Sequence, residues 1–157
     1  MFECMPFMSK MLVQKQSLNE VLKCNDKTYA YQLVLTEEDA KLLVDTRNEV
    51  LKEVERIELG AGIINKLIMA FCDSPYISQY NYAQTISELI DTFYYYKNET
   101  LDEISDDDLI DLMKELFNGK CYGAMELLQG KELDRIAHNI RFGMAVEADE
   151  EGGEEDE

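Results

Sequence analysis

The chain has 157 residues, of which 33 are acidic and 15 are Lys or Arg, so its formal net charge is −18. This balance argues against general binding to nucleic acid or to anionic membranes, because both require clustered Lys and Arg. Hydrophobic residues make up 46% of the chain, which is enough for a packed core. The composition predicts a soluble acidic globular protein without identifying its activity.

No targeting segment is expected from the sequence. The N-terminus is apolar but short, carries Glu3 early and lacks a small-residue cleavage site. The most apolar later stretch, residues 59–72, contains Lys66 and is too short to span a membrane. We therefore expect a cytoplasmic protein whose well-separated cysteines are reduced thiols, mostly buried in helices: Cys4, Cys24, Cys72 and Cys121.

Apolar residues at spacings of three and four, together with cap residues, predict an all-α fold. The predicted helices cover about residues 18–24, 37–58, 63–72, 82–97, 106–118, 122–129 and 132–141. Ser17 to Glu20 has the form of a capping box, Thr36 precedes the longest helix, and Asn81 is placed to cap the helix that begins at Tyr82.

Two of these helices have well-defined stripes of apolar residues. In the longest helix the stripe runs from Ala40 to Ile57, and Arg47 interrupts it, with its stem expected at the core edge and its charge in water. In the helix that follows Ser105, three acids lie at the positive end of the helix dipole. Its expected inward residues are Leu109, Ile110, Met113, Leu116 and Phe117.

The remaining segments complete the predicted domain organisation. Tyr29 to Leu35 is uncharged and rich in strand-favouring residues, but one isolated run cannot make a sheet, so we expect an extended connection docked on helices. Residues 144–157 contain eight acids and no base, which predicts a disordered tail. The prediction is an N-terminal arm (1–16) and a single compact domain of six or seven helices (17–143), followed by that tail.

Several segments of the sequence are also distinctive. They are Arg56 to Ile64, Phe71 to Ile77, Phe93 to Glu99 and the acidic helix start at Asp106 to Ile110. Because it contains these segments, the chain resembles an uncharacterised family of small bacterial cytoplasmic proteins. The resemblance covers roughly Gln14 to Gly143. The resemblance implies one continuous bacterial domain, and it carries no activity, cofactor or catalytic residue.

The motifs that would indicate catalysis or metal binding are incomplete. Gly60-x-Gly62 lacks the third glycine of a dinucleotide fingerprint and lies between helices. An EF-hand starting at Asp102 fails because Met113 occupies the position that requires Glu. With His138 as the only histidine, a metal or Cys–His site would need distant ligands. We therefore predict no metal, no cofactor and no catalytic residue, and interpret the acids near Asp102 as a solvated helix start.

Tyrosines provide the candidate binding residues. Three consecutive tyrosines cannot all face one core, because successive helical side chains are about 100° apart. Tyrosine combines an apolar ring with a hydroxyl, which suits protein–protein contacts, although the rims of helical cores also use it. The predicted interaction residues lie in the turn that precedes the helix at Tyr82 and on the outer face of that helix: Asp73, Tyr76, Tyr80, Tyr82, Tyr94 and Tyr95.

The leading hypothesis is a non-enzymatic interaction or regulatory module in the cytoplasm that binds a protein with a basic surface. One alternative is an enzyme or small-ligand-binding protein with a pocket built from distant residues. A second alternative is an acidic protein that mimics DNA, which requires carboxylates spaced along one exposed face. Oligomeric state is left open by the sequence.

Overall fold

The computed structural model describes residues 15–58 and 62–143. Within these ranges the regular structure is helical and contains no strand. Six helices have nine or more residues, which confirms the predicted all-α class and helix number. The predicted acidic tail lies outside the described residues, as does the predicted arm except for Lys15 and Gln16, which are helical.

The helices are numbered here in chain order. Their bounds are α1 (residues 15–23), α2 (Asn25–Thr28), α3 (Glu37–Glu53), α4 (Gly62–Phe71), α5 (Tyr82–Glu99), α6 (Asp106–Asn118), α7 (Met125–Leu128) and α8 (Lys131–Arg141). A 3₁₀ turn covers Tyr29–Tyr31. In the described part of the chain, every helix is too short or too polar to cross a bilayer.

The chain forms two compact units, the first ending at Asp91 and the second beginning at Thr92. In the first unit α3 packs against α4. In the second unit α7 contacts both α6 and α8. Helix α5 passes from one unit into the next, and its predicted apolar stripe is buried along its length.

Helices α3 and α6 begin where their cap residues predict. Thr36 accepts a hydrogen bond from the Asp39 N–H at 3.0 Å, and the Asp39 carboxylate accepts one from the Thr36 N–H at 3.1 Å. Ser105 Oγ accepts from the Asp108 N–H at 3.1 Å. These caps satisfy N–H groups that have no partner inside the helix. The predicted inward stripe of α6 is confirmed, because all five of its residues are buried.

The end of α3 differs from the prediction. The helix stops at Glu53, and Glu55 adopts a left-handed backbone conformation with φ 58°. The Arg56 N–H then donates to the Leu51 carbonyl at 2.9 Å, a closure typical of helix C-termini. Ile57 consequently leaves the stripe and is 91% exposed. Arg47 also differs, because the whole side chain is buried and Nε donates to Asn48 Oδ1 at 3.0 Å.

Two further local predictions were wrong in detail. Ser17 lies inside α1 rather than at its start, and its hydroxyl is buried. The helix predicted from residue 122 is reduced to α7, because Tyr122 and Gly123 have positive φ angles of 51° and 78°. Helix α5 begins directly after Asn81, as predicted, and the Thr85 N–H donates to the Asn81 carbonyl at 2.8 Å. The Asn81 side chain binds the preceding turn, where Oδ1 accepts from the Ser78 N–H and Nδ2 donates to the Tyr76 carbonyl.

Candidate interaction surface

The predicted turn residues divide between the surface and the core. Asp73 is exposed, Tyr76 is 37% exposed and Tyr80 is fully exposed. Tyr82, the first residue of α5, is buried because it begins the inward stripe of that helix. Burial raises the pKa of its hydroxyl to about 12. Tyr82 therefore belongs to the core and is removed from the candidate surface.

The three consecutive tyrosines of α5 also separate. Tyr95 is exposed, whereas Tyr94 and Tyr96 are buried. The Tyr96 hydroxyl donates to Asp134 Oδ1 at 2.6 Å, and burial followed by this bond raises the Tyr96 pKa well above its usual value. Tyr94 thus packs inward, which leaves Tyr95 as the exposed ring of the three.

The segment Tyr29 to Leu35 contributes exposed side chains that sequence reasoning missed. Tyr29 is 73% exposed, Tyr31 52% and Val34 39%, whereas Leu33 and Leu35 are buried. The 3₁₀ turn ends at Gln32, whose φ is 64°, and residues 33–36 continue without regular structure. The two buried leucines anchor the segment, and Val34 faces outward between them.

Side-chain amides supply the hydrogen bonds that a neighbouring strand would supply in a sheet. Gln79 Nε2 donates to the Val34 carbonyl and Gln79 Oε1 accepts from the Val34 N–H, both at 2.8 Å. Asn25 makes the same pair with Leu35, at 3.0 Å and 2.8 Å. Thr28 Oγ1 donates to the Leu33 carbonyl at 2.8 Å. The segment is therefore fixed without a β-ladder, since its polar groups already have partners.

The Gln79–Val34 pair joins the two segments that carry the exposed rings in the described part of the first unit. Gln79 adjoins Tyr80, and Val34 follows Tyr31 by three residues. We call the five exposed side chains on these two linked segments the tyrosine surface: Tyr29, Tyr31, Val34, Tyr76 and Tyr80. Tyr95 is part of the second unit and is not included in this surface.

The family of the chain follows from comparison with known proteins. A family model described as a family of unknown function (DUF6323) matches residues 20–146. The chain belongs to this family. No curated protein and no solved structure matches the chain. Membership in DUF6323 confirms the resemblance to an uncharacterised family and assigns no activity to the tyrosine surface.

The cysteines in the described part of the chain are buried rather than exposed. Cys24, Cys72 and Cys121 form no disulfide and are buried, as predicted, and Cys4 lies outside the described residues. Burial raises the pKa of the Cys24 and Cys121 thiols, which keeps both protonated. Across residues 15–58 and 62–143, no three His, Cys, Asp or Glu side chains are grouped so that they could hold a metal ion.

Proposed function

We propose that this DUF6323 protein is a non-enzymatic interaction module and that its partner binds the tyrosine surface. The observation that carries the proposal is the grouping of four exposed tyrosines on two segments joined by Gln79. Tyrosine rings bury a large apolar area with little loss of conformational freedom, and their hydroxyls form hydrogen bonds at an interface.

The fixed backbone beneath the surface supports the same function. Residues 33–35 are held by Thr28, Gln79 and Asn25, so the neighbouring rings project from a segment that is already ordered. Binding to an ordered surface loses less conformational entropy than binding to a loop that must fold first. The tyrosine surface is therefore suited to a folded protein partner.

Charge and cysteine chemistry indicate the partner and the compartment. The net charge of −18 favours association with a basic protein, because long-range attraction raises the rate of encounter. The three described cysteines form no disulfide, which is in keeping with a reducing compartment such as the bacterial cytoplasm. We place the interaction there.

Substitution of the exposed rings tests this function. The triple variant Tyr29→Asn, Tyr31→Asn, Tyr80→Asn removes three rings from the tyrosine surface. Tyr122→Asn is the matched control, because Tyr122 is 72% exposed in the other unit and Asn tolerates its positive φ. Circular dichroism should show unchanged helix content for both variants.

The readout is co-purification with tagged full-length chain from extracts of the source cell. We expect one stoichiometric partner with the wild type and with Tyr122→Asn, and its loss with the triple variant. Equal recovery with the triple variant, or no partner with the wild type, would contradict the proposal.

A further inference from the structure

A groove of about 420 Å³ lies beside α6 in the second unit. Four exposed carboxylates line it, and they come from the loop before α6 and from α6 itself: Glu103, Asp108, Asp111 and Glu115. Three half-buried aliphatic side chains also line it, from that loop, α6 and α8: Ile104, Leu112 and Ile140. None of the described lining residues is basic.

The groove follows from the periodicity of α6. Three of the lining residues follow Asp108 by three, four and seven positions: Asp111, Leu112 and Glu115. This spacing places all four on one helical face. The buried stripe that begins at Leu109 occupies the opposite side of the helix. Helix α6 therefore presents an acidic face with one aliphatic residue, Leu112, on the side next to the buried stripe.

Lys97 holds the loop that forms one end of the groove. Its ammonium donates to the Ile104 carbonyl and forms an ion pair with Asp106 Oδ1 at 2.8 Å. The Lys97 side chain is only 11% exposed, whereas that of Asp106 is 42% exposed, so the ion pair lies at the edge of the solvent. The aliphatic side chain of Ile104 is consequently fixed at the start of α6, next to Glu103.

We propose that this groove binds a basic segment of a partner protein in which an aliphatic side chain is flanked by Lys or Arg. The aliphatic side chain would contact Leu112 and Ile140, and the flanking cations would pair with the surrounding carboxylates. A purely ionic ligand would leave the aliphatic side chains exposed, whereas this segment matches both the charge and the apolar surface.

The open form of the groove favours a polypeptide over a small cation. Small-ligand sites enclose most of the ligand, whereas the four carboxylates here are exposed. A peptide helix as long as α6, which has 13 residues, extends about 20 Å and covers the whole acidic face. Because this groove belongs to the second unit and the tyrosine surface to the first, each can be tested without the other.

Fluorescence anisotropy with the full chain tests the proposal. The probe is a labelled amidated peptide of about 13 residues, with Leu at helical spacing and Lys at the flanking positions. A second peptide replaces each Leu with Asn at the same charge, and spermine serves as a small competitor. We expect saturable binding of the Leu peptide at about 0.15 M salt and much weaker binding of the Asn peptide.

Matched charge variants locate the binding. Asp111→Asn/Glu115→Gln should weaken binding of the Leu peptide about tenfold, since two ion pairs are lost. Asp91→Asn/Glu126→Gln removes the same charge at exposed sites outside the groove and should change affinity less than about twofold. Leu112→Ala should weaken binding several-fold, with an unchanged helix content by circular dichroism as the folding control.

Each result decides the proposal in one direction. A loss of Leu-peptide binding that is confined to the groove variants supports the proposal. No saturable binding, equal affinity for the Leu and Asn peptides, or equal effects of the two charge-removing variants would overturn it. Displacement of the Leu peptide by spermine at a comparable concentration would also overturn it, because the groove would then be a site for small polycations.

Discussion

Replacement of Asn25 by Ala tests whether side-chain amides hold the extended segment under the tyrosine surface. Asn25 Nδ2 donates to the Leu35 carbonyl at 3.0 Å, and Oδ1 accepts from the Leu35 N–H at 2.8 Å. Both bonds are partly buried, so water replaces them poorly. At about 1 kcal/mol for each bond, the free energy of unfolding should fall by about 2 kcal/mol.

Gln79→Ala is the matched control for this prediction. It removes the same pair of contacts from the neighbouring residue Val34, both at 2.8 Å, but these bonds are exposed. Water can therefore satisfy the Val34 N–H and carbonyl after the substitution. The expected loss is below about 1 kcal/mol.

Thermal and urea denaturation followed by circular dichroism at neutral pH provide the assay. A loss of about 2 kcal/mol corresponds to a fall in melting temperature of roughly 4–8 °C for a chain of this size. An equal or larger loss for Gln79→Ala would refute the argument from burial. Unchanged stability in both variants would show that the amides do not hold the segment.

Three further predictions concern the second unit and the buried tyrosine of α5. Lys97→Met should lower the free energy of unfolding by about 1 kcal/mol, because the Ile104 carbonyl loses its donor, whereas water can solvate Asp106, which is 42% exposed; a loss below about 0.5 kcal/mol in urea denaturation would contradict this. The pKa of Tyr82 is about 12 in the folded chain against an ordinary value of 10.0. The contribution of its neutral hydroxyl to the free energy of unfolding is therefore complete below pH 10 and declines as pH rises towards 12. Above pH 10, the free energy of unfolding should therefore fall less steeply with pH for Tyr82→Phe than for the wild type. The same pH dependence in both proteins would show that Tyr82 is not the source of the decline. Leu101→Gly should raise stability by about 1 kcal/mol, because Leu101 is exposed and has a φ of 55°; destabilisation in thermal melts would show that its side chain makes a larger contribution than the strained backbone.

The sequence predicted those parts of the fold that depend on local signals. In α6, the Ser105 cap and the apolar spacing define the start and the buried face, and both agree with the structure. The early end of α3 was missed because Glu55 adopts a left-handed conformation that its residue type does not indicate. Ile57 was wrongly placed in the core for the same reason.

The candidate surface was harder to predict because its partners are distant in sequence. Asn25 and Gln79 hold adjacent residues of one segment, yet they are 10 and 45 positions away from them. An uncharged run with tyrosines was visible, but its hydrogen-bond partners were not. The alternation of buried Leu33 and Leu35 with exposed Val34 is the local signal that could have indicated the outward face.

Site-specific photocrosslinking tests the central claim most directly. A photoreactive phenylalanine analogue replaces Tyr80 in the full chain, and a matched chain carries it at Tyr122, an exposed tyrosine of the second unit. Irradiation in the source cell should yield one discrete adduct from position 80 and none from position 122. No adduct from position 80, or the same adduct from both positions, would contradict the assignment of the tyrosine surface as a partner-binding site.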